Sequence, residues 1–218
     1  MQDLYGQQHR ALQKRFETER LADAVKGNIV GSEIQEHHRA FIESRDFFYL
    51  SSIDHRGFPT CSYKGGHKGF LRVLDSSHIA FPSYDGNGMF LSMGNITTNP
   101  KVGILCIDYE VPNRIRIHGE ASIDFEDPLI ESFPGADLVV RVRIEDIFNN
   151  CPRYIHRYKR VADSEYVPQA NCEHKLAVWK RIDNLQDVLP ARDKKIAETL
   201  GGTITSEEYV ELVIKGEA

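Results

Sequence analysis

The sequence predicts a mainly β protein of the α+β class, in which an antiparallel sheet or barrel is flanked by helices at both ends. Three observations favour this class. Residues 47–123 contain apolar runs of about six residues that are separated by turn signals. The segments on either side carry helical apolar spacing instead. The chain has 218 residues, 41% of them hydrophobic, which is enough for one domain with a real core.

The N-terminal part predicts two helices. A broken apolar stripe among charges marks the first one, at Leu12, Phe16 and Val25. Gly27-Asn28 gives this helix a plausible end. Ser32 followed by Gln35 resembles a capping box and opens the second helix. Its apolar face holds Ile34, Phe41 and Ile42. We expect both helices to serve in packing or dimerisation.

The strands of the predicted sheet alternate with short turns. Residues 47–53 and 58–63 form a hairpin around the turn 54–57. Further strands are expected at 70–74, 78–82, 102–107, 114–123 and 138–144. The segment 102–107 is apolar on both faces, which predicts a central strand. Along 114–123, apolar and polar residues alternate, so one face packs and the other meets solvent or a ligand. Helices are expected near 194–200 and 206–213.

The segment 83–100 differs in kind because it is rich in glycine, asparagine and serine. Its apolar residues predict a short packed helix after Gly86-Asn87-Gly88, and they are Met89, Phe90, Leu91 and Met93. Free backbone N–H groups before a helical turn can surround a phosphate. Neighbouring segments supply cations, namely Lys64, His67, Lys68, Arg114 and Arg116. The alternative is that this loop is only a turn and that these charges are solvated.

Composition excludes several classes of function. A formal net charge of −5 argues against nucleic-acid binding, which usually requires a basic face. The apolar runs fall short of the ~18 residues that cross a bilayer, and the polar start has no signal-peptide core. We therefore expect a cytoplasmic protein with no membrane partner.

The cysteines and histidines predict no metal site. The four cysteines have no CxxC pair, and we expect Cys61 and Cys106 to be buried reduced thiols. Of the nine histidines only His37 and His38 are adjacent, and a solvated helix surface accounts for that pair.

An ordered set of motifs resembles the pyridoxamine 5′-phosphate oxidase-like flavoproteins. The motifs are Gly65-Gly66-His67-Lys68-Gly69-Phe70, the loop 81–88, Ser92-x-x-Asn95, Asn99-Pro100-x-Val102-Gly103 and the strand 114–121, with weaker similarity at 150–154. The resemblance implies an antiparallel split β-barrel that forms a homodimer and binds FMN in two clefts along the subunit interface. It divides the chain into an N-terminal helical arm (1–45), an FMN-binding split-barrel core (46–150) and a C-terminal extension (151–218) that packs on the barrel or on the dimer partner.

The resemblance also implies the cofactor-binding residues. Ser62, Tyr63 and Lys64 would lie along the isoalloxazine and ribityl chain. Phe81, Pro82 and Ser83 would close the next strand against the ring. Asn87, Ser92 and Asn95 would hold the ribityl and phosphate groups. Arg114 would reach the flavin across the dimer interface, with Arg116 on the same face. Trp179 would either stack near the ring from the partner subunit or anchor the C-terminal segment.

Some family features are absent from the sequence. Phe90-Leu91-Ser92 replaces the Ser-Arg-Lys group that holds the FMN phosphate, and the C-terminal Arg and His substrate clamp has no match. The sequence therefore does not predict vitamin B6 oxidation, and a deazaflavin could take the place of FMN. We expect hydride transfer between flavin and an unidentified small organic substrate, with His67 or His118 as substrate contacts. The alternative is a non-catalytic flavin- or haem-binding protein, in which a histidine would be the axial ligand.

Overall fold

The computed structural model describes residues 3–170, 172 and 174–218. The chain divides into two compact units, one that ends at Ala162 and one that runs from Asp163 to Ala218. The three-part division at residues 45 and 150 stays a prediction. Among the described residues, no helix is long and apolar enough to span a membrane.

The first unit combines helices with one antiparallel sheet. Its helices are α1 (Gln7–Arg15), α2 (Glu19–Ile29), α3 (Glu36–Glu43) and α4 (Leu91–Thr98), together with a 3-10 helix at Pro128–Ser132. Its strands are β1 (Val30–Gly31), β2 (Phe47–Ile53), β3 (Pro59–Gly65), β4 (Arg72–Val73), β5 (His78–Tyr84), β6 (Lys101–Asp108), β7 (Asn113–Asp124) and β8 (Ala136–Asn149).

The strands pair in the order β3-β2-β6-β7-β8-β5-β4, and β1 adds to β8 beside this path. Every pairing between these eight strands is antiparallel. The path does not close on itself, because β3 and β4 stand at its two ends. The arrangement confirms the predicted class, a mainly β antiparallel split barrel flanked by helices. It also confirms that β6 lies inside the sheet, between β2 and β7.

Period-two alternation produces the core. In β2, Phe48 and Leu50 are buried, whereas Phe47 and Tyr49 on the other face are only half-buried. In β7, Ile115 and Ile117 are buried in the same way. Each such strand therefore presents one face to the core and one to its surroundings.

The second unit consists of short helices. They are 3-10 helices at Val178–Arg181, Asp183–Val188 and Ala191–Asp193, followed by α5 (Ile196–Thr199) and α6 (Ser206–Lys215). The Thr205 hydroxyl accepts from the backbone N–H of Glu208 at 3.1 Å, and the Glu208 carboxylate accepts from that of Thr205 at 2.8 Å. This capping box fixes the start of α6 where the sequence places it.

Three N-terminal details of the prediction were wrong. The first helix is interrupted at 16–18, where Glu17 adopts a positive φ of 55°, so α1 and α2 are separate helices. Gly27-Asn28 does not end α2, which continues to Ile29. Gln35 rather than Ser32 caps α3, and its backbone N–H donates to Nδ1 of His38 at 3.2 Å.

The packing expected of the 83–100 loop was also wrong. Met89, Phe90 and Leu91 are exposed, and of the four apolar residues only Met93 is buried. The reason is the backbone at Phe90, whose left-handed conformation (φ 49°) redirects the chain just before α4 begins.

Two further predictions failed because of side-chain direction. Cys61 is exposed, because it alternates with the inward residues of β3, whereas Cys106 is buried and burial raises its pKa to about 12. His38 is buried against the body of the protein instead of lying on a solvated surface. Burial lowers the pKa of its imidazole.

Candidate functional site

A network of polar side chains joins the β2–β3 hairpin to α4. The amide of Asn95 donates to Oγ of Ser52 at 3.0 Å and to Oγ1 of Thr60 at 3.1 Å. Ser52 and Thr60 are opposite each other in the hairpin, with their hydroxyls 2.9 Å apart. The hydroxyls of Ser62 and Ser92 are 3.0 Å apart. These contacts hold the helix against the inner face of the hairpin.

The first turn of α4, beside the hydroxyls of Ser62 and Ser92, has backbone N–H groups with no partner in the helix. The first hydrogen bond of the helix runs from the Gly94 N–H to the carbonyl of Phe90, at 2.7 Å. The N–H groups of the three preceding residues therefore have no partner within the helix. Together with the helix dipole they favour a negative group beside Ser92.

Lys64 supplies a cation on this side of the sheet. It is two residues beyond Ser62 on β3, so both side chains lie on the inner face, about 7 Å apart along the strand. Burial lowers the pKa of the Lys64 ammonium. In the part of the chain that the structure describes, this ammonium makes no hydrogen bond or ion pair. A half-buried cation of this kind can pair with an anion.

Tyr63, Arg114 and Arg116 lie on the opposite face of the sheet. Paired strand positions share a face, and the register sets Tyr63 opposite Tyr49, Tyr49 opposite Leu105, and Leu105 opposite Arg116. We call this side, with Phe47, Tyr49, Tyr63, Leu105, Arg114, Arg116 and His118, the outer face. The predicted cofactor residues thus divide between two faces, and the side chains of one protomer cannot all reach one side of a planar ligand.

Among the described residues, two neighbouring side-chain atoms, one on β7 and one just after β8, are buried without a hydrogen-bond partner. They are Nε of Arg114, a donor, and Oδ1 of Asn150, an acceptor. The two residues are adjacent, because the backbone N–H of Asn150 donates to the carbonyl of Arg114 at 3.3 Å. Buried polar groups are rarely left unpaired, so this pair calls for a ligand atom, a water or a second chain.

Aromatic rings cover one end of the outer face. The ring of Phe47 stacks on those of Tyr63 and Tyr109, with centroids 5.4 and 5.9 Å away. Tyr158, from the segment after β8, meets Tyr109 edge-on at 5.3 Å. Tyr63 is nevertheless 61% exposed. Such a surface suits contact with a planar ligand or with another protein chain.

Within the described residues, the remaining predicted cofactor residues form no hydrogen bond with the α4 network. Phe81 is fully buried in the core, where its ring centroid is 4.9 Å from that of Phe48, and Pro82 is buried beside it. Ser83 is half-buried near the end of β5. Asn87 is exposed, and its side chain accepts from the backbone N–H of Met89. The roles of these residues stay predictions.

The residues predicted as substrate contacts, and Trp179, are placed as follows. His118 lies on the outer face with Nδ1 3.4 Å from a carboxylate oxygen of Asp146. His67 lies in the turn after β3 and Lys68 beside it is exposed. Trp179 belongs to the second unit, where the ammonium of Lys180 is 5.7 Å from its ring centroid. Among the described residues, no three His, Cys, Asp or Glu side chains are grouped to hold a metal ion.

Sequence reasoning missed Ser52 and Thr60, and it included Asn150 only in the weaker motif 150–154. The first two had a usable signal, because a polar residue at an inward hairpin position must find a partner. The motif gave Asn150 no role, since its place beside Arg114 depends on the pairing of the ends of β7 and β8.

With this geometry in view, the comparisons with known proteins identify the family. A family model described as pyridoxamine 5′-phosphate oxidase matches residues 34–164. The chain therefore belongs to the pyridoxamine 5′-phosphate oxidase family. No match was found among curated proteins.

Solved structures give weaker likenesses. HupZ from Group A Streptococcus is 19% identical, with 58% of this chain and 99% of that chain covered and a TM-score of 0.45. A provisionally assigned pyridoxamine 5′-phosphate oxidase from Lactobacillus delbrueckii is 25% identical (54% and 95% covered, TM-score 0.43). HutZ, described as a haem storage protein, from Vibrio cholerae is 18% identical (52% and 92% covered, TM-score 0.40). These scores are too low to carry an argument about function.

Proposed function

We propose that this protein is an FMN-dependent oxidoreductase of its family, which acts as a homodimer on a small organic substrate. The observation that carries the proposal is the meeting of three anion-binding features on one side of the β2–β3 hairpin. These are the free N–H groups at the start of α4, the hydroxyls of Ser62 and Ser92, and the unpaired ammonium of Lys64. A phosphate monoester carries a charge of about −1.5 to −2 and accepts several hydrogen bonds, so it fits this set of donors.

The isoalloxazine ring would lie along β3. That strand is at an end of the sheet, so one row of its backbone N–H and C=O groups is open to a ligand. Bound FMN would supply the redox chemistry by accepting or donating hydride at N5. The chain's own residues would hold the phosphate, orient the ring and provide donors near its polar edge.

A second copy would complete the cleft. Arg114 and Arg116 are on the outer face, while Lys64 and Ser92 are on the inner side, so one protomer cannot bring both sets to the same ring. A partner that laid its outer face over β3 could bring the unpaired Nε of Arg114 and Oδ1 of Asn150 to the flavin. A donor beside an acceptor matches the alternating carbonyl and N–H groups of the flavin's pyrimidine edge.

An absorption spectrum of the purified protein tests the cofactor. We expect a flavin band near ~450 nm and release of FMN on denaturation. Stoichiometric recovery of a deazaflavin would show that the cofactor is not FMN, but the protein would still be classed as an oxidoreductase. A Soret band near ~400 nm, with no flavin, would instead contradict the proposal and favour the haem-binding alternative.

A further inference from the structure

The segment that follows β8 concentrates positive charge. Residues 151–162 contain no Asp or Glu, and their four Lys or Arg side chains are Arg153, Arg157, Lys159 and Arg160. The chain as a whole has a formal net charge of −5. We call this segment the basic strap. It creates a local positive potential on an otherwise acidic protein.

The basic strap is fixed to the sheet, although none of its residues lies in a helix or strand. The backbone N–H of Tyr158 donates to the carbonyl of Tyr109 at 3.1 Å. The backbone N–H of Arg160 donates to the carboxylate of Glu110 at 3.1 Å, and its guanidinium pairs with Asp46 at 2.8 Å. Tyr109 and Glu110 follow β6 and Asp46 precedes β2, so the strap crosses one end of the sheet.

Three cations of the basic strap remain available to a ligand. Arg157 donates through Nε to the carbonyl of Glu110 at 3.2 Å, which leaves its two terminal amino groups. Within the described residues, neither the guanidinium of Arg153 nor the ammonium of Lys159 makes a hydrogen bond or ion pair. All three side chains are exposed, so an anion in solution can reach them.

Two exposed aromatic rings alternate with these cations. Tyr154 directly follows Arg153 and is 88% exposed, and Tyr158 directly follows Arg157 and is 61% exposed. Tyr154 has a positive φ of 73°, a conformation that residues other than glycine rarely adopt. Exposed rings next to cations are the combination on which nucleic-acid bases stack.

We propose that the basic strap binds a free nucleotide that carries two or more phosphate groups. The guanidinium groups of Arg153 and Arg157 and the ammonium of Lys159 hold the phosphates, because charge-assisted hydrogen bonds to phosphate are strong. The ring of Tyr154 stacks on the base, which gives little selectivity among bases. The proposal uses none of the residues assigned to the flavin and therefore does not depend on the proposed function.

The distribution of charge favours a nucleotide over a nucleic acid. Glu145 and Asp146 shortly precede the basic strap, and Asp163 and Glu165 follow it. A nucleic acid that continued along the chain in either direction would reach these carboxylates. The charges of a single nucleotide fit within the strap, whereas nucleic-acid binding usually requires a wider basic face.

The test titrates ATP into the full-length protein by isothermal titration calorimetry. Saturating FMN keeps the proposed flavin site from taking up the probe, and the buffer contains no divalent cation. We expect affinity to fall in the order ATP, ADP, AMP and to fall with rising salt. The double variant Arg153→Glu with Lys159→Glu should bind ATP at least tenfold more weakly.

The matched control is Lys14→Glu with Arg20→Glu on α1 and α2. These cations are also exposed, and their replacement changes the net charge by the same amount. The control should bind ATP within about threefold of the parent. Circular dichroism verifies that both double variants are folded.

A second variant separates the base from the phosphates. Tyr154→Ala should weaken ATP binding by about fivefold or more, because it removes the stacking surface. It should leave the affinity for inorganic tripolyphosphate unchanged, since that ligand has no base.

Several outcomes would overturn the proposal. They are a parent that does not bind ATP, a control that loses as much affinity as the strap variant, and a Tyr154→Ala variant that loses affinity for ATP and tripolyphosphate equally. A single-stranded oligonucleotide that binds more than tenfold tighter than ATP would also overturn it and indicate a nucleic acid. A protein that binds ATP but not FMN would contradict the proposed function and leave the nucleotide site standing.

Discussion

Lys64 is a lysine on the inner face of a terminal strand, and burial lowers the pKa of its ammonium. We predict that Lys64→Ala weakens FMN binding by roughly tenfold or more, because a charge-assisted hydrogen bond to phosphate contributes about 1.5–3 kcal/mol. Ser92→Ala should act in the same direction but less, since it removes a neutral donor. Fluorescence titration of FMN against the apo-protein measures both changes.

Lys68→Ala provides the matched control for that experiment. Lys68 is an exposed cation in the turn that follows β3, so its removal should leave FMN affinity within about twofold of the parent. If Lys64→Ala and Ser92→Ala both bind FMN as tightly as the parent, the phosphate must be held elsewhere, with Arg114 and Arg116 as the next candidates.

Gly119 of β7 lies so close to β8 that no side chain fits at this position. A Cβ there would lie 2.4 Å from the carbonyl oxygen of Arg143 and 2.8 Å from a methyl of Val142, at the bulge between β7 and β8. We predict that Gly119→Ala lowers the free energy of unfolding by about 1–3 kcal/mol. Urea denaturation followed by circular dichroism measures the change.

Gly94, in the middle of α4, is the opposite case and serves as the control. Its Cβ position has nothing within 4 Å, so Gly94→Ala should raise stability by about 0.5–1 kcal/mol through helix propensity. If both substitutions changed the free energy of unfolding equally, the close approach of β8 at Gly119 would not be the cause of the destabilisation.

Asp127 connects the 3-10 helix at Pro128–Ser132 to β8. Its carboxylate accepts from the backbone N–H of Leu129 and from the guanidinium of Arg141, both at 2.9 Å. The hydrogen bond from Arg141 is the main reason that the pKa of Asp127 is lowered. The stabilisation is therefore present above the unfolded-state pKa of about 3.9, and it is lost as pH falls from there through the lower folded-state value.

We predict that Asp127→Asn destabilises the protein by about 1–2 kcal/mol at pH 7, a modest value because Arg141 is partly exposed. The difference from the parent should shrink once pH falls below about 4. Urea denaturation across pH 3–7 checks this, with the neighbouring exposed Glu126→Gln as control. A loss of stability that is unchanged at pH 3 would show that the charge of Asp127 is not its cause.

The pattern of apolar and polar residues predicted most helices and strands, but it did not predict where they begin and end. Alternation placed β2 and β7 within one or two residues, since burial on one face leaves a period-two signal. Alternation could not locate the left-handed backbone of Phe90, nor the cap at Gln35. At the site, the motifs indicated Lys64 and Ser92, whereas Asn150 became visible only when strand pairing brought it beside Arg114.

At the scale of the whole molecule, cofactor and assembly should both be linked to stability. A ligand that binds only the folded state at 100 times its Kd adds about 2.7 kcal/mol. For a chain of this length that corresponds to a rise in Tm of about 5–10 °C. We predict such a rise on FMN saturation. If the proposed homodimer forms, Tm should also depend on protein concentration, because mass action links association to folding.

Differential scanning calorimetry at several protein concentrations checks this prediction. Riboflavin, which lacks the phosphate, is the matched ligand control and should raise Tm less than FMN does. A Tm that changes neither with FMN nor with protein concentration would contradict both the proposed flavin site and the proposed dimer.

The position of β8 late in the first unit limits how early the sheet can fold during synthesis. This one strand pairs with β7 just before it, with β5 far earlier in the chain, and with β1 near the start. Until β8 has left the ribosome, β1 has no strand to join and β5 pairs only with the two-residue strand β4. Such long-range pairing slows folding and lengthens the time during which a nascent chain is prone to aggregate. The position of this single strand therefore predicts slow folding of the sheet.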